Sequence, residues 1–124
     1  MKIMRRQTRV RALPAFVLVF VFAAFLSGCA TAPPTLYQWE SYEAQVYAHL
    51  KGESPEAQIE VMERDLEKIK AGDKTPPPGF YAHLGLLYVE SGNDAKAIDC
   101  FTTEKGRFPE SAPFMNFLLG KYKK

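Results

Sequence analysis

The sequence has few of the residues on which catalysis and metal binding usually depend. Its 124 residues include two cysteines, Cys29 and Cys100, and two histidines, His49 and His83. The histidines fall on separate predicted helices, without an acidic partner at a spacing typical of a metal site or a catalytic pair. The sequence also lacks a phosphate-binding glycine loop and a nucleophile elbow. We therefore expect no enzymatic activity, no metal ion and no dissociable cofactor.

Positive charge is in excess only at the N-terminus. Five of the 16 basic residues precede residue 12, where there is no acidic residue. The 96 residues from Cys29 onward carry 11 basic and 14 acidic side chains, a net charge of −3 with neutral histidines. A nucleic-acid-binding surface needs clustered positive charge, so we expect no nucleic-acid partner.

The main hydrophobic run is too short to span a membrane. It covers residues 13–26, which is 14 residues, whereas a membrane-spanning helix needs roughly 17 to 25. A basic start followed by a short apolar stretch is typical of a secretory signal. The sequence therefore predicts that residues 1–28 are a cleaved signal peptide.

The apolar run ends in Leu26-Ser27-Gly28-Cys29, which resembles the bacterial lipobox. The resemblance implies that the Cys29 thiol receives a diacylglycerol and that the new N-terminus receives a further acyl chain. Two or more chains anchor a protein stably in a bilayer. Ala30 stands where an aspartate would favour the inner membrane, which implies the periplasmic face of the outer membrane. Residues 29–35 then form a short extended tether.

Helical periodicity in the rest of the chain, residues 36–124, predicts one all-α domain. Aromatic and aliphatic residues at three- and four-residue spacings predict a helix over residues 36–51. Ser54 and Pro55 then provide an N-cap and a first-turn proline for an amphipathic helix that Gly72 closes.

The next segment resembles a tetratricopeptide repeat, with one full 34-residue unit at residues 78–111. Small residues stand where two helices would touch, and large residues stand where a gap must be filled. A generic helical hairpin is the alternative interpretation. The signature positions are Tyr81, which replaces the leading tryptophan, Leu84, Gly85, Tyr88, Ala97, Phe101 and Pro109.

A single repeat cannot bury its own hydrophobic face, so neighbouring units must stack on it. We expect residues 36–71 to form a degenerate preceding repeat and residues 111–122 to form a closing helix. The expected fold is an all-α, tetratricopeptide-like stack of about five helices, made of two hairpins plus the closing helix. The predicted apolar stripe of the closing helix is Phe114, Phe117, Leu118 and Tyr122.

Three aromatic residues, Tyr37, Trp39 and Tyr42, are the candidate partner-binding residues. They fall in the first turns of the first predicted helix, and Tyr and Trp are favoured at protein interfaces. Packing onto the neighbouring helix is the alternative. Cys100 has no partner within the chain once Cys29 is lipidated, so it is either buried as a small hydrophobe or forms an intermolecular disulfide.

Much of the sequence is similar to a family of small uncharacterised bacterial lipoproteins, the domain of unknown function 4810. The resemblance rests on the lipobox and on residues 36–42, 46–51, 77–88 and 108–111. It implies a gene neighbour similar to the curli secretion channel, which is itself a lipoprotein, and therefore a role in an envelope assembly. No catalytic residue comes with the resemblance.

Two functions are therefore expected. The first is a lipid-anchored adaptor that binds another envelope protein, such as the curli-secretion-channel-like lipoprotein, through its repeat groove or its aromatic N-terminal segment. The alternative is a periplasmic lipoprotein that binds or senses a small ligand, such as a peptidoglycan fragment. Its ligand would lie in a pocket lined by Tyr81, His83 or Tyr88.

Overall fold

The computed structural model describes residues 34–122, and these residues form α-helices, one short 3-10 helix and no strand. In chain order the elements are α1 (Tyr42–Leu50), α2 (Pro55–Ala71), α3 (Phe80–Glu90), α4 (Asp94–Arg107), the 3-10 helix Pro109–Ser111, and α5 (Ala112–Tyr122). The predicted all-α fold with about five helices is confirmed. Within the described part of the chain, no helix has both the length and the apolar character to cross a membrane. The predicted signal peptide, the lipobox with Cys29, and the tether up to residue 33 lie outside the described residues.

Side chains in the local sequence set the start of α2 and the start of α4. The Ser54 hydroxyl accepts a hydrogen bond from a backbone N–H of the first turn of α2 at 3.4 Å, and Pro55 occupies the first helical position. The Asn93 side-chain oxygen accepts a hydrogen bond from the Lys96 N–H at 3.1 Å at the start of α4. Both caps satisfy backbone groups that a helix end leaves free, so local sequence is enough to place these two boundaries.

The first helix is shorter than predicted, because it begins at Tyr42 and residues 36–41 form bends and a turn instead. The Asp65 carboxylate on α2 accepts hydrogen bonds from the Ser41 backbone N–H, at 3.1 Å, and from the Ser41 hydroxyl. An acid at a helix start supplies both an acceptor and a favourable charge. A contact between residues 24 positions apart therefore fixes where α1 begins.

The prediction that Tyr37, Trp39 and Tyr42 lie in the first turns of a helix is consequently wrong for the first two. Tyr37 and Trp39 precede α1, and only Tyr42 belongs to it. The Gln38 N–H donates to the Thr75 carbonyl at 2.9 Å, which ties this segment to the loop between α2 and α3. The spacing of aromatic residues alone could not distinguish this irregular segment from a helical turn.

The hydrophobic core is formed by buried residues of α2, α3, α4 and α5. Phe101 and Ala97 on α4 are fully buried. A Cβ atom on Gly85 of α3 would lie 2.5 Å from a Phe101 ring carbon, which is closer than real Cβ contacts. The absence of a side chain at Gly85 therefore allows α3 and α4 to approach this closely.

The apolar stripe predicted for α5 is wrong at its two phenylalanines. Phe114 and Phe117 are each 55% exposed, whereas the buried residues of α5 are Met115, Leu118 and Leu119. Both sets have the three- and four-residue spacings of a helical face. The packing of α5 against α4 and the 3-10 helix decides between them, and that contact is not visible in the local sequence.

Candidate functional site

A groove of about 540 Å³ runs along one face of the domain and is lined mainly by α1, α3 and α5, with further residues from α4 and the 3-10 helix. We call it the main groove. Helices α1 and α3 are the first helices of the two hairpins, and α5 is the closing helix. Each hairpin and the closing helix therefore contribute one wall of the groove. Its helical lining residues are Tyr42 and Val46 from α1, Ala82, His83 and Leu86 from α3, Glu104 from α4, Glu110 and Ser111 from the 3-10 helix, and Phe114 and Met115 from α5.

Phe114 gives the main groove an exposed aromatic wall. Its ring stacks on that of Phe117, with 6.4 Å between the ring centroids and 18° between the planes. Only Phe114 of the pair lines the groove. Exposed aromatic rings that face a concave surface are typical of binding sites, because they bury a large area when a partner covers them.

The predicted partner-binding residues are distributed around the main groove. Tyr42 lines it and packs on Phe80, with 5.6 Å between the ring centroids. Trp39 is 42% exposed, and its ring centroid lies 6.1 Å from that of Tyr42. Tyr37 packs edge-on against Phe108, which also lines the groove. Tyr42 therefore packs against the core, whereas Trp39 remains accessible next to it.

The structure brings His49 and His83 together, although they lie on separate helices. Their ring centroids are 5.3 Å apart, and the Tyr42 ring lies 6.1 Å from that of His83. Among residues 34–122, no group of three or more side chains is arranged to hold a metal ion. The pair packs α1 against α3, and His83 also lines the main groove.

Burial lowers the pKa of His83, and the neighbouring His49 lowers it further. The backbone carbonyl of Gln45 acts in the opposite direction, because it accepts a hydrogen bond from the ring. His83 is 8% exposed, and its Nε2 atom has no hydrogen-bond partner among the described residues. The ring is therefore neutral at pH 7 and leaves one nitrogen unpaired.

Glu104 is the functional residue that the sequence analysis missed. It is 1% exposed on α4, and its Oε1 accepts a hydrogen bond from the Gly79 N–H at 2.6 Å. Gly79 is the N-cap of α3 and has no side chain with which to cap that helix. The Glu104 carboxylate therefore does so from the neighbouring helix. Glu104 lies three residues after Phe101 and four residues before Phe108, which places it on the buried face of α4. This spacing could have identified it from the sequence.

The Glu104 carboxyl group also lies at the main groove. Burial raises its pKa, the backbone N–H groups of Gly79, Ala82 and Tyr81 at the start of α3 act in the opposite direction, and the nearby Glu110 adds to the rise. Its second oxygen, Oε2, has no hydrogen-bond partner among the described residues. The groove therefore contains a second unpaired polar atom besides Nε2 of His83.

Tyr81 and Tyr88 line a different, smaller groove of about 170 Å³. The Tyr88 hydroxyl donates to Glu63, and the Lys96 ammonium lies 2.9 Å from the same carboxylate oxygen. Burial and the bond to Glu63 raise the pKa of Tyr88 to about 12. These contacts join α2, α3 and α4, so this cluster stabilises the helix packing. Of the three residues named for the small-ligand alternative, Tyr81 and Tyr88 line this smaller groove and His83 lines the main groove.

Cys100 lines the same smaller groove and is partly buried. Burial is the main cause that raises the pKa of its thiol, to about 12, and the charge of Asp99 adds to the rise. The thiol is therefore protonated at neutral pH, and a protonated thiol is a poor nucleophile. Its environment resembles that of a small buried hydrophobe.

The raised pKa of Glu104 predicts how its removal should affect stability at different pH values. The folded state favours the protonated form, so this group's contribution to stability is complete below its ordinary pKa of 4.5 and is lost as pH rises through the higher folded value. Glutamine keeps the acceptor for Gly79 but cannot ionise. We expect the free energy of unfolding of Glu104→Gln, relative to wild type, to increase between pH 4.5 and pH 7.

Urea denaturation at several pH values measures the free energy of unfolding of both proteins. The difference between the two values at each pH removes the contribution of the other acidic groups, which both proteins share. Glu67→Gln is the matched control, since Glu67 is exposed on α2. Its difference from wild type should not change over the same range. A flat or falling difference for Glu104→Gln would show that ionised Glu104 is not penalised in the folded protein.

Comparison with known proteins identifies one family. The family model described as "Domain of unknown function (DUF4810)" matches residues 36–118, which is about two thirds of the chain and includes every residue that lines the main groove. No curated protein and no solved structure matches the sequence. The chain therefore belongs to the DUF4810 family.

Proposed function

We propose that this protein is an outer-membrane lipoprotein that acts as a helical-repeat adaptor and holds a segment of another envelope protein in its main groove. The observation that carries the proposal is the groove itself, in which α1, α3 and α5 present an apolar concave surface with the exposed Phe114 ring. Most of the side chains that line the groove are apolar. Binding, rather than catalysis, is the role proposed for it.

The tetratricopeptide-like character of the fold is part of the proposal. Helices α3 and α4 fall within residues 78–111, and Gly85 of α3 lies directly against the Phe101 ring of α4. In helical-repeat proteins, successive units create an extended concave surface that binds partners. The three helices that line the main groove occupy equivalent places in such a stack.

The lipid anchor is proposed from the sequence alone. After removal of residues 1–28, Cys29 would carry a diacylglycerol and an N-acyl chain, and residues 29–35 would connect it to the domain. An extended proline-containing tether of this length reaches about 20 Å. The groove would therefore be held close to the periplasmic face of the outer membrane, where a second lipid-anchored protein is within reach. The curli-secretion-channel-like lipoprotein implied by the family resemblance is the proposed partner.

Copurification from solubilised envelopes tests the adaptor function. Phe114→Ala removes the exposed aromatic wall of the groove, and we expect it to reduce recovery of the partner about tenfold or more, as the loss of an interface hot spot does. Phe117→Ala is the matched control, because Phe117 is on the same helix and equally exposed but does not line the groove. Equal recovery with both variants, or no specific partner with wild type, would contradict the proposal.

A second candidate function is the binding of a small ligand, such as a peptidoglycan fragment, in the same groove. It is favoured by the two buried polar atoms without partners, Nε2 of His83 and Oε2 of Glu104. A direct binding measurement distinguishes the two functions. A soluble fragment that binds the purified protein with Phe114-dependent affinity, in the absence of any copurifying protein, would favour this candidate over the adaptor.

A further inference from the structure

The main groove contains two buried polar atoms whose hydrogen bonds are not made within the described domain. Nε2 of His83 and Oε2 of Glu104 belong to side chains that are 8% and 1% exposed, and both residues line the groove. A buried polar group without a partner destabilises the folded state, because it loses its hydrogen bonds to water and gains none in return. Such groups are uncommon in folded proteins and require an explanation.

Both atoms are hydrogen-bond acceptors when Glu104 is ionised, which is the form that a bound cation favours. An ionised carboxylate has only acceptor oxygens, and the Gly79 N–H is already bonded to Oε1 of Glu104. The Gln45 carbonyl accepts a hydrogen bond from the His83 ring, and Nε2 is the nitrogen without a partner, so the proton of the neutral ring belongs on Nδ1. The groups missing from the groove are therefore donors.

The charge of the groove restricts which donors are suitable. Two carboxylates line it, those of Glu104 and Glu110, and its lining contains no lysine or arginine. Its other walls include apolar side chains, among them Val46, Leu86 and Phe114. A suitable occupant therefore carries a cationic donor at the end of an apolar stem. Lysine and arginine side chains have this character, because methylene groups separate their charge from the backbone.

We infer that the main groove binds a segment of the partner protein that inserts a basic side chain, with its cationic head at Glu104 and Glu110 and its stem against the apolar walls. This inference rests on the proposed adaptor function and specifies the chemistry that the groove selects. The head group supplies donors to acceptors that otherwise lack them. The surrounding residues of the segment cover Phe114.

Three short peptides test this selectivity with the full chain in detergent. Each peptide is acetylated and amidated and has a leucine on either side of a central residue, which is lysine, norleucine or glutamate. Backbone amide resonances on α3 and α5 report binding by NMR, even when it is weak. Because charge-assisted hydrogen bonds contribute about 1.5–3 kcal/mol, we expect the lysine peptide to bind about tenfold or more tightly than the norleucine peptide. This preference should decrease as salt is added.

Protein variants assign the preference to the two carboxylates. Glu104→Gln and Glu110→Gln should each reduce the ratio between the lysine and norleucine affinities, whereas Glu67→Gln, on the exposed face of α2, should leave it unchanged. Glu104 caps α3, so its variant could unfold, and circular dichroism checks this. Glu110 is exposed in the 3-10 helix, and its variant provides the test in that case.

Each other outcome overturns the inference in a recognisable way. If the lysine and norleucine peptides bind equally and both lose binding in Phe114→Ala, the groove does not select a basic side chain. Docking of a peptide segment in the groove would still be supported. If butylamine shifts the same resonances and binds as tightly as the lysine peptide, the groove is a site for free amines and not for a protein segment. Tightest binding of the glutamate peptide, or no binding of any peptide, would reject the inference. The adaptor function itself would then depend on the copurification experiment alone.

Discussion

Replacing Cys29 with serine is expected to abolish acylation of this protein and to release it from the membrane fraction. The proposed lipid attachment uses the cysteine sulfur, and a serine hydroxyl does not replace it. Cells grown with radioactive palmitate would show a labelled wild-type band and no labelled band for Cys29→Ser. Without two or more acyl chains, the remaining affinity for a bilayer is small.

Cys100→Ser provides the control for this experiment, because Cys29 and Cys100 are the two cysteines of the sequence. Cys100 lies on α4 inside the folded domain, and its variant should keep both the label and membrane association. Continued labelling of Cys29→Ser, or loss of label from Cys100→Ser, would refute the proposed attachment site.

The second large effect is expected at the contact between α3 and α4. Phe101→Ala should lower the free energy of unfolding by about 3–5 kcal/mol, the usual cost of removing a buried phenylalanine side chain. Phe101 is fully buried against Gly85, so its loss would leave a cavity at the centre of the core. Phe117→Ala, which removes the same side chain from an exposed position, should change stability by less than about 1 kcal/mol.

Gly85 tests the same contact from the other helix. Alanine usually stabilises a helix relative to glycine by about 1 kcal/mol, but a Cβ at Gly85 would lie 2.5 Å from the Phe101 ring. We therefore expect Gly85→Ala to destabilise the protein, whereas Gly106→Ala on α4, where a Cβ meets nothing within 4 Å, should stabilise it. Urea denaturation measures both changes. If both variants change the free energy of unfolding in the same direction, Gly85 is not in tight contact with the Phe101 ring.

The sequence was sufficient to predict those parts of the fold that depend on local interactions. The predicted cap at Ser54 is made by a side chain within a few residues of the helix that it starts. The small and large residues of the hairpin, such as Gly85 and Phe101, follow a repeat spacing that can be recognised without a structure. For this reason, the helix number and the hairpin at residues 78–111 could be predicted in advance.

The features that were missed depend on contacts between distant residues. Asp65 sets the start of α1 from another helix, and Glu104 caps α3 from α4. On α5, two overlapping apolar stripes fit helical spacing equally well, and packing against α4 buries the one that contains Met115. The main groove depends on all three of these features, because they position the helices that line it. Its unpaired acceptors could not be inferred from residue spacing.

Photo-cross-linking in growing cells is the most direct test of the claim that the main groove binds an envelope protein. A photoreactive amino acid placed at position 114 lies in the groove, and the same group at position 117 lies beside it with equal exposure. We expect position 114 to give one prominent cross-linked band that contains a second envelope protein, and position 117 to give little of it. Equal cross-linking from both positions, or no band from position 114, would contradict the account.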